Sequence, residues 1–358
     1  MKFKLKKIKL TAIFLIFAVL CIFWLWSAKH RQAKIPPVSQ NKIESAADWH
    51  KDIAVAADNP QELAYQQELQ KYPDNVAVLV QLGSLYFAHG KYDQAQEILG
   101  KALKLNGEDL AALQALANLY RYRGQYEKSE IYFNKAIALN PKSAELRVDI
   151  GKLYRNWNKY PEAEAAFKQA LELNPKDDHL YSYGLGYLYR DEGKMDEAVK
   201  SFKKALELNP SAFNYMGMGD IYRDTGKYEE SEKMFKKALA LDPHSEAYLG
   251  LGWLYSFEKK NDLAEQAFKN YLAIIKPKSE VYNGLGYIYL EEKKYGEAVD
   301  VFKKSADLNP ALGGYFGLAQ AYIAKEDYNQ ARQALQAELA AKPNSEQVKN
   351  LMSQISAK

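Results

Sequence analysis

The sequence predicts an all-α protein in which repeated helix hairpins follow one membrane-spanning helix. An uncharged apolar run lies near the N-terminus, from Leu10 to Ala28. Through most of the remaining chain a tyrosine recurs every 33 to 35 residues, and a proline closes most of the units. A fixed period of about 20 to 50 residues is the signature of repeat architectures, so the chain is expected to be an array of small units.

Charge and cysteine content exclude several classes of protein. The formal net charge of the 358 residues is +4, but residues 1–35 alone carry eight Lys or Arg and no acid. The remaining residues carry 41 basic against 45 acidic side chains. The repeat region therefore lacks the basic surface that binds polyanions, and nucleic acid is not an expected partner. The single cysteine, Cys21, excludes an internal disulfide framework.

Residues 1–35 are predicted to be a membrane anchor that spans the bilayer from Leu10 to Ala28. These 19 uncharged residues match the ~20 needed by a spanning helix. Five lysines precede the run, which favours a cytoplasmic N-terminus and an extracytoplasmic repeat domain, periplasmic in a Gram-negative cell. The alternative is a cleaved signal peptide. The length of the run and the bulky Trp26 near the cleavage point argue against it.

The rest of the chain divides by composition and period. Residues 36–47 contain two prolines and are predicted to be a tether. Residues 48–75 are predicted to be a degenerate capping repeat, and residues 76–344 to be eight full repeats. Residues 345–358 are predicted to form a C-terminal capping helix with Ser345 as its N-cap.

Each predicted repeat carries the same marks on its two helices. The first helix has a small residue at intervals of 34, 34, 35, 33, 33, 34 and 33, namely Gly83, Ala117, Gly151, Gly186, Gly219, Gly252, Gly286 and Ala319. Three residues after each comes a tyrosine. The second helix pairs alanine or serine with phenylalanine or leucine four residues later, which places both on one face. Prolines end seven of the units because they cannot continue a helix.

This pattern resembles the tetratricopeptide repeat, whose unit of about 34 residues carries these marks. The resemblance covers about three quarters of the chain. It implies a right-handed α-solenoid with a concave groove and a non-enzymatic scaffold for protein binding. No segment remains for a catalytic domain, so no enzyme, cofactor or metal site is expected. The Gly-x-Gly pairs, such as Gly184 with Gly186, are interpreted as close helix contacts because no third glycine follows.

The resemblance also implies which side chains face the groove. The candidate partner-binding residues are Asn118, Arg121, Lys152, Arg155, Tyr187, Arg190, Arg223, Trp253, Phe257, Tyr287 and Phe316. They change from basic at the front to aromatic at the rear. This order predicts a protein segment with an acidic part and an apolar part. In the alternative interpretation, the arginines pair with nearby aspartates and only keep the wall soluble.

The expected setting is envelope assembly or secretion. Two other functions stay open. The chain could be a glycan-binding or polysaccharide-export subunit, because aromatic rings beside arginines also suit sugars. It could also be the regulatory partner of an enzyme in the same membrane.

Overall fold

The computed structural model describes residues 60–355, and within that range the chain is entirely helical. Its 18 α-helices are α1 (Pro60–Lys71), α2 (Val76–Ala88), α3 (Tyr92–Leu105), α4 (Leu110–Tyr122), α5 (Tyr126–Leu139), α6 (Ala144–Asn156), α7 (Tyr160–Leu173), α8 (Tyr187–Glu192), α9 (Met195–Leu208), α10 (Ala212–Asp224), α11 (Tyr228–Leu241), α12 (Ala247–Phe257), α13 (Asn261–Ile274), α14 (Ser279–Glu291), α15 (Tyr295–Leu308), α16 (Gly314–Ala324), α17 (Tyr328–Ala341) and α18 (Glu346–Ile355). A π-helix (Leu180–Gly186) leads into α8, and a 3₁₀ turn (Pro310–Leu312) precedes α16.

The predicted anchor, the tether and the first part of the predicted capping repeat lie outside the described residues. Among the helices from residue 60 onward, none combines the length and the apolar character of a membrane span.

The described chain forms two compact units, divided after Leu119. In the first, residues 60–119, helix α1 packs on α2 and α2 packs on α3. The core of this unit contains Leu79, Ala102 and Ala112. Lys91 forms an ion pair of 2.7 Å with Glu62, which fastens α1 to the turn before α3.

The second unit, residues 120–355, is a stack of helix pairs. From α6 onward each pair has a first helix and a second helix that pack on each other, and each second helix also packs on the next first helix. Successive first helices, such as α10, α12, α14 and α16, are in contact as well, so they form one continuous layer. The largest fully buried side chains of the second helices are those of Tyr271, Phe133, Phe167, Phe202, Phe235, Phe268 and Phe302.

Glycines on the first helices make room for these phenylalanine rings. A Cβ atom added at Gly284 would lie 2.6 Å from the ring of Phe268, and one added at Gly186 would lie 2.7 Å from Phe202. Carbon atoms in contact are ordinarily about 3.5–4.0 Å apart, so no larger residue fits without movement. The interpretation of the Gly-x-Gly pairs as close helix contacts is confirmed.

The recurrent tyrosines of the first helices also link neighbouring pairs by hydrogen bonds. Four hydroxyls donate to a glutamate on the preceding second helix: Tyr154 to Glu130, Tyr189 to Glu164, Tyr255 to Glu232 and Tyr289 to Glu265, at 2.7 to 2.9 Å. Before Tyr222 the position of that glutamate is occupied by Val199. Tyr222 is half-buried.

Candidate functional site

Ten of the eleven predicted groove residues belong to the unit of residues 120–355, and all ten lie on first helices. Helices α4 and α6 carry Arg121, Lys152 and Arg155, while α8 and α10 carry Tyr187, Arg190 and Arg223. Helices α12, α14 and α16 carry Trp253, Phe257, Tyr287 and Phe316. Asn118, which is half-buried, belongs to the unit of residues 60–119.

Arg155, Arg190 and Arg223 form a ladder of ion pairs along consecutive first helices. Arg155 lies 3.4 Å from Asp191 of the next pair, and Arg190 lies 2.7 Å from Asp224 of the pair after that. These three arginine side chains are mostly buried. For them the structure shows the pairing with aspartates that the alternative interpretation described, so the middle of the wall is nearly neutral.

The ladder stops at Arg223. The interval of 34 residues that separates Arg190 from Asp224 leads from Arg223 to Phe257, which has no carboxylate. Arg223 instead pairs with Asp220 at 2.8 Å and Asp224 at 3.0 Å on its own helix. The polar part of the wall therefore gives way to an aromatic part between α10 and α12.

Side-chain caps fix the start of the first helices and reveal one irregular spacing. Five caps accept a hydrogen bond from the backbone N–H three residues later: Asn75, Asp109, Ser143, Asp177 and Ser211. The small residue of the repeat follows the cap after eight residues in four of these helices. From Asp177 to Gly186 the distance is nine residues. One residue is therefore inserted inside this helix.

The π-helix Leu180–Gly186 absorbs the inserted residue. The N–H of Tyr187 donates to the carbonyl of Ser182, five residues back, as in a π-turn. The carbonyl of Tyr183, four residues back, accepts a hydrogen bond from Nη1 of Arg155 at 3.0 Å. The 35-residue interval between Gly151 and Gly186 was the sequence signal of this turn.

Tyr183 is a central groove residue that sequence reasoning missed. The guanidinium of Arg155 lies 5.3 Å from the centre of its ring, and the ammonium of Lys152 lies 6.0 Å away. The rings of Tyr187 and Phe213 lie 6.1 and 6.5 Å from it. Burial raises the pKa of Tyr187 above its ordinary value, so this hydroxyl stays neutral. The π-helix thus brings cations and aromatic rings together on one wall.

At the rear of the groove, aromatic rings pack against the core on one side and are partly exposed on the other. Trp253 packs edge-on against Phe268 at 5.3 Å, and Tyr287 packs in the same way on Phe302 at 5.2 Å. Tyr287 remains 41% exposed, and Phe257 is 62% exposed. Phe316 is half-buried beside the same core. Phe257 and Tyr287 thus leave ring surface exposed on the neighbouring first helices α12 and α14, and large exposed apolar surface often marks a contact site.

Within residues 60–355, no group of three or more His, Cys, Asp or Glu side chains is arranged so that it could hold a metal ion.

Comparison with known proteins places these observations in a family. Three family models described as tetratricopeptide repeat match the chain. One matches residues 148–213, a second matches residues 74–142, 108–176 and 210–276, and the third matches residues 289–355. A search of curated protein sequences found no match.

Several solved structures share the fold. Yeast Tom70 aligns with a TM-score of 0.63 and 19% identity over 78% of this chain and 63% of its own. A tetratricopeptide repeat protein from Parabacteroides merdae aligns with a TM-score of 0.55 and 21% identity, over 72% of this chain and 98% of its own. A chain of the APC/C hetero-tetramer Cut9–Hcn1 aligns with a TM-score of 0.53 and 18% identity, over 88% and 60%. The chain spans only about three fifths of the Tom70 and Cut9–Hcn1 chains. These identities establish likeness of fold alone.

Proposed function

Because this chain belongs to the tetratricopeptide repeat family, we propose that it is a non-catalytic scaffold whose groove binds an extended segment of a partner protein. The observation that carries the proposal is the aromatic rear of the groove. Phe257 and Tyr287 expose ring surface that the fold does not cover, although burial of apolar area is the main stabilising term in folding. A partner's apolar side chains would remove this surface from water.

The front of the groove carries positive charges that can attract an acidic part of the same segment. Arg155, Arg190 and Arg223 are held in the ladder. Lys152 lies 3.4 Å from Asp149 and its side chain is 31% exposed, while Arg121 is a half-buried charge that also interacts with Asp149. We therefore assign the attraction of acidic side chains mainly to Lys152, with Arg121 adding to the positive potential around it. Tyr187, Arg190 and Arg223 then form a neutral wall between the two ends.

The membrane setting is part of this proposal and rests on the sequence. We infer that the run from Leu10 to Ala28 anchors the chain, with the N-terminus in the cytoplasm and the repeats on the other side. Envelope assembly or secretion is the corresponding role. Protease added to cells with a permeabilised outer barrier should digest the repeats, and their protection would reverse this topology.

Site-directed photo-cross-linking tests the groove directly. A photoreactive phenylalanine analogue replaces Phe257 or Tyr287 in the full-length chain in native membranes, and a matched variant carries it at Lys204 on second helix α9. Irradiation should give one discrete adduct from both groove positions and none from position 204. Adducts that form only from position 204 would place the partner on the second helices and contradict the proposal.

A further inference from the structure

The π-helix Leu180–Gly186 departs from the repeat pattern, which requires an α-helix at this place. The helices capped by Ser143 and Ser211 are α-helical throughout, and their small residue lies eight positions after the cap. π-turns are rare and often occur at functional sites. The extra residue therefore calls for an explanation outside the packing of the core.

Alignment of the caps places the inserted residue between Leu180 and Gly186. Leu180 lies three residues after Asp177, as buried Leu146 lies three residues after Ser143. Gly186 corresponds to Gly151, so five residues, 181–185, stand where α6 has four, 147–150. We assign Ser182 as the extra residue, because its carbonyl accepts the π-turn hydrogen bond from Tyr187; Tyr183 then corresponds to Val148. The insertion keeps both ends of the helix in register and changes only the backbone between them.

The consequence of the insertion falls on Tyr183 and on the two cations of α6. The Tyr183 carbonyl, which the π-turn withholds from Tyr187, anchors Arg155. The Tyr183 ring then lies beside both Arg155 and Lys152. Arg155 is only 7% exposed and also reaches Asp191, so its charge is committed within the protein.

Lys152 differs from Arg155 in what it can still bind. Its ammonium is 3.4 Å from Asp149, longer than the ~2.7–2.9 Å of a strong charge-assisted bond, and its side chain is 31% exposed. An ammonium has three donors. Asp149 also interacts with Arg121, and Arg155 pairs with Asp191, so Lys152 shares its carboxylate with a second cation.

We propose that the π-helix Leu180–Gly186 builds a subsite for an acidic side chain of the partner segment, with Lys152 as its charged contact and Tyr183 as its platform. This inference rests on the proposed function and specifies where the acidic part of the segment binds. Arg155 is a positioning residue in this subsite because it holds Tyr183 rather than the ligand.

The test uses two synthetic peptides that share leucine and phenylalanine at one end and differ at the other. One peptide carries glutamates there and its partner carries glutamines. Fluorescence anisotropy measures their affinity for the detergent-solubilised full-length protein. The wild type should prefer the glutamate peptide by roughly fivefold, the size of one partly exposed ion pair.

Three variants locate the preference. Deletion of Ser182 should restore an α-helix, raise the unfolding temperature and abolish the preference. Tyr183→Leu keeps the helix and the charge of Lys152 but removes the platform, so it should weaken the preference; this variant covers failure of the deletion variant to fold. Lys204→Gln, on a second helix, should retain it.

The outcomes separate the subsite from the proposed function. If the wild type binds both peptides equally, or if Tyr183→Leu keeps the full preference, the subsite is wrong while the groove remains a binding surface. If the wild type binds neither peptide, the proposed function and the subsite fall together.

Discussion

The hydroxyl of Tyr255 donates a hydrogen bond of 2.8 Å to the carboxylate of Glu232, across the junction between two helix pairs. Glu232 also lies 2.6 Å from Lys236 on its own helix. The same three residue types meet at Tyr189, Glu164 and Lys168. A third set, Tyr289 with Glu265 and Lys269, repeats the arrangement. Neighbouring pairs of the second unit are thus joined by ionic groups as well as by the apolar core.

Removing one of these hydroxyls should cost stability only where the glutamate is present. Tyr255→Phe should lower the free energy of unfolding by about 0.5–1.5 kcal/mol, the usual contribution of a hydrogen bond. Tyr222→Phe is the matched control, because Val199 stands where the glutamate would be, and it should cost almost nothing. Urea denaturation of the three proteins measures the difference. Equal losses in both variants would show that the hydrogen bond does not stabilise the junction.

Acid should loosen these junctions. Hydrogen bonds from Lys168, Lys236 and Lys269 lower the pKa of Glu164, Glu232 and Glu265 below 4.5, against the opposing effect of burial. A lowered folded-state pKa gives stability that is complete above the unfolded value and is lost as the pH falls through the folded value. The urea midpoint should therefore drop as the pH falls below about 4.5.

The triple variant in which these three glutamates become glutamine should show a weaker drop than the wild type. Glu207→Gln, at an exposed position, is the control and should follow the wild type. Identical pH profiles for the triple variant and the wild type would remove these glutamates as the cause.

Glycine and phenylalanine should be coupled across the junction between α13 and α14. Gly284→Ala places a methyl group against the ring of Phe268, and overpacking of this kind typically costs about 1–3 kcal/mol. Phe268→Leu in the same chain should recover part of the loss, because the smaller side chain leaves room for the methyl group. A double-mutant cycle by urea denaturation measures the coupling. Strictly additive losses would mean that the Phe268 ring is not the reason why residue 284 must be glycine.

Substitutions of Phe257, the residue at which the ion-pair ladder ends, should change partner binding and the stability of the fold in different ways. Phe257→Asp supplies the carboxylate that Arg223 lacks on the next helix, so the unfolding temperature should stay the same or rise slightly. Partner binding should weaken, because the exposed ring is lost. Phe257→Ser removes the ring without adding a charge and should weaken binding equally. Retained affinity in both variants would exclude Phe257 from the contact surface.

Some features of the fold and of the groove could be predicted from the sequence, and others could not. The spacing of Gly186, Tyr189 and Phe202 predicts the helix pairs because each is set by packing within a fixed repeat. Pairing of Arg155 and Arg190 with nearby aspartates can be predicted only as an alternative, since the period gives the helix face of an arginine but not the direction of its side chain. Tyr183 was missed because a π-turn depends on the choice between two backbone hydrogen bonds, which the 35-residue interval signals only indirectly.

Binding kinetics of the cross-linked partner test the central claim most directly. Arg121 and Lys152 together become Glu in one variant, and Trp253 becomes Ala in another, while Lys204→Gln serves as the control. The charge reversal should slow association and reduce its dependence on salt, because Lys152 is partly exposed and such charges act mainly by steering. Trp253→Ala should speed dissociation, with a loss of ~2 kcal/mol if the indole is an anchor. Unchanged affinity in both groove variants, together with loss of binding in the α9 control, would contradict the account.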